Sequence, residues 1–367
     1  MPVTPEPATD PLPALRPEAP MAPVVALRRI AYLMDRDLAE SRKVRAFHHA
    51  ADVADQTGEA ELARLGTVSA LTRLPGIGDS TGTVIAQALA GEVPERLATL
   101  EAGGPPEPSA EVRAVLDATR GDCHLHTHWS DGATSIAEMA GTARVLGRSW
   151  MALTDHSPRL TVAHGLSPER LAAQLEEVAA LNEDLAPFRI LTGMEVDILE
   201  DGSLDLDDEL LARLDLVVGS VHSKLRMDRR AMTRRLVRAV SSPHVDVLGH
   251  CTGRLVNRTP GVPEDVDPKR PPSTFDADVV FAACAQTDTA VELNSRPERL
   301  DPPDDLLAVA VEAGCRFTID TDAHAPGQLE WQRHGADKAV RVGVPADRIV
   351  TSWPVEQVLD WTEQHGT

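Results

Sequence analysis

From Gly121 onward the chain alternates short apolar runs with amphipathic stretches, and nearly every short run ends in a side chain able to bind a metal. The runs are Cys123–His126, Trp150–Thr154, Ile190–Glu195, Leu216–His222, Val245–Gly249, Ala290–Asn294 and Arg316–Thr321. Between them, Ile136–Leu146, Pro168–Leu185, Met232–Val240, Asp276–Ala285 and Asp305–Ala313 have helical periodicity. Strands that alternate with helices build a parallel sheet. About seven such units in roughly 250 residues point to an α/β fold with a closed or distorted barrel.

The residues at the strand ends carry the chemistry. They are His124 and His126, with Asp131 in the loop that follows, then Asp155-His156, Glu195, His222, His250, and Asp322 with His324. Barrel enzymes assemble their sites at the C-terminal ends of their strands. Alternate residues on a strand face the same way, so His124-x-His126 can present two imidazoles to one ion, and Asp322-x-His324 repeats the spacing. A single such histidine is more often a satisfied polar residue. Six histidines and three acids at the same end of successive strands point to metal. Mixed imidazole and carboxylate ligands suit zinc, manganese or iron better than magnesium or calcium. Nine ligands oversupply one ion, so two or three divalent ions are expected, held together by a bridging carboxylate.

Other residues keep two readings. Arg296 is a candidate phosphate clamp or a surface ion-pair partner, and Lys224 and Arg226 stand likewise. Asp155 either orients a ligand imidazole or caps the next helix. His128 is placed at the mouth of the site. His48 and His49 read as surface residues of a helix, and His164, His244, His334 and His365 lack a motif.

The rest of the chain bounds the alternatives. Eight of the first 23 residues are proline, which reads as a disordered tail over 1–23 without the apolar block of a secretory signal. No stretch reaches the ~20 apolar residues of a membrane span. The four cysteines are scattered, so neither a disulfide framework nor a zinc ribbon is indicated, and a cytoplasmic location is expected. Residues 24–101 read as helical, with Leu74-Pro75-Gly76-Ile77-Gly78 as a tight turn before a further helix. A Gly/Pro-rich stretch then suggests a linker over 102–120 and a second domain over 121–367. The net charge of −21 speaks against casual nucleic-acid binding, but residues 24–100 hold nine basic and ten acidic residues and lie near −1.

The ordered set His124-x-His126, Ser130-Asp131-Gly132, Thr154-Asp155-His156, Gly193-x-Glu195, His222, Gly249-His250 and Asp322-x-His324 resembles the PHP (polymerase and histidinol phosphatase) family. The resemblance implies a distorted (β/α)7 barrel with a trinuclear centre that hydrolyses phosphoesters. Carried over by motif, the first ion would take His124, His126, Glu195 and Asp322, which would hold the attacking water. The second would share Glu195 and add His222 and His250. The third would take Asp131, His156 and His324. Asp at position 131 resembles the branch fused to family X DNA polymerases.

The helical segment, with the Gly76, Ile77 and Gly78 turn, resembles the N-terminal helix-hairpin-helix domain of the same polymerases and implies contact with DNA phosphates. About 20 residues separate it from the barrel, too few for a polymerase palm. The reading is therefore a DNA phosphoesterase: a 3′–5′ exonuclease, a 3′-phosphatase or an abasic-site nuclease. A small-molecule phosphatase, such as one acting on histidinol phosphate or a nucleotide, is the alternative. A non-catalytic DNA-binding protein would lack ligands, and here all nine are present. Oligomeric state leaves no sequence signal.

Overall fold

The computed structural model describes residues 21–257 and 268–365; residues 1–20 of the expected tail lie outside them. The chain divides into two compact units, one running to Glu107 and including Ala325–Leu329, the other running from Pro108 to His324 and again from Glu330.

The first unit is helical: α1 (Pro23–Arg36), α2 (Ser41–Thr57), α3 (Glu59–Leu65), α4 (Val68–Leu71), α5 (Asp79–Leu89) and α6 (Glu95–Ala102). Pro23 opens α1, where its missing N–H costs nothing. Leu27, Ile30, Ala31 and Met34 of α1 are buried, as are Val44, Phe47, Ala50, Ala51 and Ala54 of α2, one apolar stripe on each helix. Gly66 ends α3 in the left-handed conformation, a common helix stop. In the turn before α5, Gly76 has φ +95°, and a Cβ there would lie 2.5 Å from Nε2 of His49. The positive φ is what favours glycine at 76, since the exposed His49 ring can swing aside.

The second unit begins with α7 (Ala110–Ala118), inside the stretch read from the sequence as linker. The hydroxyl of Ser109 accepts the Val112 amide at 3.3 Å and Val112 is buried, so a cap and an apolar contact make a helix where Gly and Pro had suggested none. Among the elements that follow, besides one short helical turn at Asp208–Leu211, are α8 (Ile136–Val145), β1 (Trp150–Leu153), α9 (Pro168–Leu185), β2 (Arg189–Asp197), β3 (Leu216–Ser220), α10 (Arg229–Val240), β4 (Val247–Leu248), α11 (Ala277–Thr287), β5 (Ala290–Asn294), α12 (Asp304–Ala313), β6 (Phe317–Asp320), α13 (Gln332–Val342) and α14 (Val355–His365). The six strands form one parallel sheet in sequential order.

Alternate residues face opposite ways. Val291, Leu293, Phe317 and Ile319 pack against the surrounding helices. Trp150, Leu191, Leu216, Val218 and Ala290 pack on the other face with Trp353, Val358 and Trp361. The Trp150 indole is fully buried and donates to the Trp353 carbonyl at 3.0 Å. At about 25 cal/mol per Å², a buried indole of ~150–250 Å² stabilises by roughly 4–6 kcal/mol. The apolar layer lies at the start of the strands, and polar residues occupy their ends.

Cys123–His126, expected as the first strand, is extended but makes no regular ladder; its only β-bridge pairs Leu125 with Ala323. The reason is chemical. Side chains take several of its amides: Cys123 donates to Asp320 Oδ1 (2.8 Å), His124 to Asp122 Oδ1 (3.1 Å) and Leu125 to the Thr154 hydroxyl (2.9 Å). Its carbonyls still reach both sides, with Ala152 donating to Asp122 and Asp322 donating to His124. The segment thus hydrogen-bonds to β1 on one side and to the chain leaving β6 on the other.

Candidate metal centre

His124 and His126 lie on the segment that pairs irregularly ahead of β1, Asp131 lies in the loop after it, and the other candidate ligands lie in or just past strands. Glu195 lies within β2, His222 and His250 follow β3 and β4 by two residues, and Asp322 and His324 follow β6. Gly193 makes room on β2: a Cβ there would lie 2.7 Å from the Leu216 carbonyl and 3.0 Å from that of Leu153, one on each neighbouring strand. Gly132 does the same for the Asp131 loop, since a Cβ would meet the backbone of His126 and Thr127 within 2.7 Å.

Glu195 is the hub. One oxygen lies 2.8 Å from His156 Nδ1, 3.3 Å from His124 Nε2 and 3.6 Å from His126 Nε2. The other lies 2.8 Å from His250 Nε2 and 3.2 Å from His222 Nε2. Asp131 stands 3.5 Å from His156 and 3.4 Å from His324, and Asp322 stands 3.5 Å from His126 and 3.6 Å from His324. The nine side chains are therefore brought together. Burial alone would push the Glu195 carboxyl up, but the surrounding imidazoles of His222, His124 and His156 outweigh it and hold it well below the usual range. Burial, reinforced by His324 and His156, pulls His126 down to about 3, so its imidazole is neutral and offers a lone pair.

The donors suit divalent ions on a structural ground as well. His124 Nε2 and both ring nitrogens of His126 are buried with no hydrogen-bond partner. An unpaired buried polar atom costs about 1–3 kcal/mol, which coordination would remove. Four groups of donors, with ligand atoms within 4.8 Å of one another, could each hold an ion: His126, Asp131, His156 and His324; His124, His126 and Asp322; His124, Glu195 and His250; His156, Glu195 and His222. These sets overlap. His126 stands in two of them and His156 also joins the Glu195 group, whereas the motif-based partition gave each of those histidines to one ion.

The supporting residues were not all foreseen. Glu292, fully buried on β5, accepts from the His124 ring at 2.6 Å and from the His250 amide at 2.5 Å. Asp197 stands 3.2 Å from His222 Nδ1, and Asn294 donates to both Asp322 and Glu292 at 3.2 Å. Glu292-x-Asn294 has the same alternate spacing as His124-x-His126, so the signal was present. Asp155 neither orients an imidazole nor caps a helix. Its carboxylate accepts from the Thr127 amide and hydroxyl, Ser130 and Gln174 at 2.5–2.8 Å, fastening the loop that carries Asp131.

Of the phosphate candidates, Arg296 reaches the cluster, 3.3 Å from His324 Nδ1 and 3.9 Å from Asp322. A second guanidinium, Arg299, lies 3.0 Å from Asp322. The loop bearing both is held from behind. Lys338 donates to the carbonyls of Leu300 and Pro302, Arg254 to those of Arg299 and Leu300, and buried Asp301 accepts from Thr252. Lys224 is exposed, two residues past His222. His128 is exposed too, its ring 3.1 Å from the Thr134 carbonyl, while His48 is half-buried against Asp35 at 3.1 Å.

Residues 122–264 match the PHP domain family. DNA polymerase/3′-5′ exonuclease PolX of Bacillus subtilis (strain 168) is 42% identical over 224 residues, 61% of this chain and 37% of that protein. A probable phosphatase of Syntrophotalea carbinolica is 28% identical over 251 residues, 65% of this chain and 94% of that protein. The chain thus spans little more than a third of the first relative and nearly all of the second. The solved histidinol phosphate phosphatase of Lactococcus lactis, with zinc, L-histidinol and phosphate, superposes with a TM-score of 0.41 at 17% identity, over 61% of this chain and 94% of that one. No helix among the described residues is long and apolar enough to cross a membrane.

Proposed function

Since the chain carries a PHP domain, we propose that it is a metal-dependent phosphoesterase acting on DNA, as a 3′–5′ exonuclease, a 3′-phosphatase or an abasic-site nuclease. The observation that carries the reading is the convergence of five imidazoles on Glu195, with Asp131, Asp322 and His324 joined to them, and buried imidazole nitrogens that no protein group satisfies. In this reading the sheet and the 122–126 segment make up a (β/α)7 barrel, and His124, His126, Asp131, His156, Glu195, His222, His250, Asp322 and His324 hold two or three manganese, zinc or iron ions. When bound, such ions supply Lewis-acid polarisation of a phosphoryl oxygen and activation of water.

The chain's own residues do the rest. Glu195 joins the imidazoles of four strand ends and keeps their spacing. Glu292 and Asp197 orient His124 and His222 by hydrogen bonds to the ring nitrogen away from the centre. Arg296 is positioned to take a non-bridging phosphate oxygen, because a guanidinium binds phosphate through two parallel N–H bonds. Lys224 is a weaker candidate for the same oxygen.

DNA is favoured over small phosphoesters by the helical unit. The Gly76-Ile77-Gly78 turn leads into α5; its Ile77 and Gly78 amides are taken by the Leu74 carbonyl (3.1 Å) and the Thr81 hydroxyl (3.0 Å), so a phosphate would meet the N-terminus of the helix itself. The 42% identity to PolX supports the same substrate class. The acidic chain and the match to a probable phosphatase favour a small phosphoester as the second reading. A cytoplasmic location belongs to either reading.

Recessed DNA, abasic DNA and histidinol phosphate assayed side by side with manganese and zinc decide between them. The reading expects DNA to be turned over, with two to three ions per chain by metal analysis. Protein that neither retains nor rebinds metal, or that hydrolyses only the small ester, overturns it. Removal of residues 1–107 is expected to impair DNA hydrolysis and to spare a chromogenic phosphodiester.

A further inference from the structure

The chain has a net charge of −21, yet residues 223–240 carry seven cations (Lys224, Arg226, Arg229, Arg230, Arg234, Arg235, Arg238) against one acid, Asp228. This stretch starts immediately after His222 and runs through α10. Its pattern works against its own helix. Arg229 and Arg230 fill the first turn of α10, where the helix dipole favours acids, and only the Asp228 cap offsets them. Arg230, Arg234 and Arg238 stand four residues apart on one ridge, where like charges destabilise a helix by about 0.2–0.5 kcal/mol per pair.

Folding explains three of the seven. Arg235 is buried and donates to the carbonyls of Ser223 and Ile198, tying the helix to the loop that leaves His222. Arg229 pairs with Asp276 at 3.3 Å and Arg238 with Asp201 at 2.9 Å. Lys224, Arg226, Arg230 and Arg234 are exposed and have no ion pair among the described residues. A local pattern that costs helix stability without a compensating contact is expected at functional sites.

We propose that Lys224, Arg226, Arg230 and Arg234 form a track for the phosphate backbone of a nucleic-acid strand, leading from the metal centre along the outside of α10. This rests on the DNA reading given above and adds where the strand beyond the scissile phosphate lies. Arg230 and Arg234 lie about 6 Å apart along the helix axis, a spacing suited to two neighbouring phosphates of a single strand. A small phosphoester would not reach past the rim and would leave this ridge without a role.

The test compares the full-length metal-loaded chain with R230E/R234E and, as a charge-matched control on other exposed arginines, R144E/R213E. The probe is a fluorescein-labelled phosphorothioate 12-mer that resists hydrolysis, titrated by anisotropy across a salt series. Two lost contacts to a single strand lower the slope of log K against log salt by about 1.4, and they weaken binding about tenfold at physiological salt. The control is expected within twofold of the wild type.

The track is overturned if R230E/R234E keeps wild-type affinity and slope. It is overturned too if the control loses as much, or if the wild-type chain does not bind the probe. Loss of binding to phosphatidylserine vesicles, without loss of oligonucleotide binding, would assign the ridge to a membrane and also overturn it. Turnover of bis-p-nitrophenyl phosphate checks that the charge-reversed chain is intact; if it falls, R230Q/R234Q replaces it and is expected to weaken the oligonucleotide severalfold. A wild-type chain that binds the probe but hydrolyses no phosphoester sinks the functional reading and leaves the track standing.

Discussion

Glu292→Gln changes one atom in the interior and is expected to disable a ligand that it never replaces. Glu292 accepts on both oxygens, one from the His124 ring at 2.6 Å and the other from the His250 amide at 2.5 Å and from Asn294 at 3.2 Å. A carboxylate can do both because it is acceptor-only, whereas glutamine has one accepting oxygen and one donating nitrogen. If the amide oxygen keeps the His250 amide, the NH2 group faces His124 Nδ1. That nitrogen must then give up its proton, and Nε2 carries it instead. Nε2 is the atom directed at Glu195, 3.3 Å away, and a protonated nitrogen cannot ligate. If the glutamine turns over, the NH2 group meets the His250 amide, donor against donor, at the base of another ligand.

Either way one histidine is lost to the site. Changes to such orienting partners cost 10–100-fold in metal affinity, about 1.4–2.7 kcal/mol. Competition against a chromogenic chelator measures the affinity, and metal analysis after gel filtration counts the ions. We expect E292Q to fold like the parent by circular dichroism and to bind its weakest ion at least tenfold less tightly. An E292Q chain that holds every ion with parental affinity would refute the tautomer argument, and with it the assignment of His124 Nε2 as a ligand atom.

Three further outcomes follow from the same geometry. Chelation should abolish phosphoester hydrolysis and lower the melting temperature by several degrees in calorimetry, because an ion at a hundred times its Kd stabilises by about 2.7 kcal/mol; an unchanged melting curve would contradict ligation in the core. Gly193→Ala would push Cβ against backbone carbonyls on both sides of β2, so metal content and Tm are both expected to fall, by about 1–3 kcal/mol of overpacking. Lys338→Met removes the ammonium behind the Arg296–Arg299 loop, and its signature in steady-state kinetics should be a several-fold rise in KM with metal content unchanged.

Much of this was readable before the structure because the two periodicities involved are strong. The helical expectation for 168–185 matches the observed helix, and the other four interior helices agree to within a few residues at either end. The apolar runs from Trp150 onward became the six strands. The run at Cys123–His126 did not, since its pairing partners are the side chains of Asp320, Asp122 and Thr154, which no local propensity encodes. The helix at 110–118 was hidden by the Gly and Pro residues in front of it. At the site, residue type and position at strand ends were enough to bring nine side chains under suspicion. What stayed illegible was how they group, because overlap between donor sets depends on ångström-scale placement of rings. Glu292 escaped notice because a buried acid on a strand looks the same in sequence whether it touches an ion or the histidine that does.

The bond from the Cys123 amide to Asp320 spans 197 residues, and the centre needs both ends of that span. A ribosome adding 5–20 residues per second takes roughly 10–40 s to cover it. Through that interval the emerging chain already displays His124 and His126 but lacks Asp322 and His324. A prematurely terminated product ending before β6 would also leave the Cys123 amide without its carboxylate. On the proposed function, hydrolytic competence then waits until Asp322 and His324 have been made, and a chain cut short of β6 is expected to be inactive.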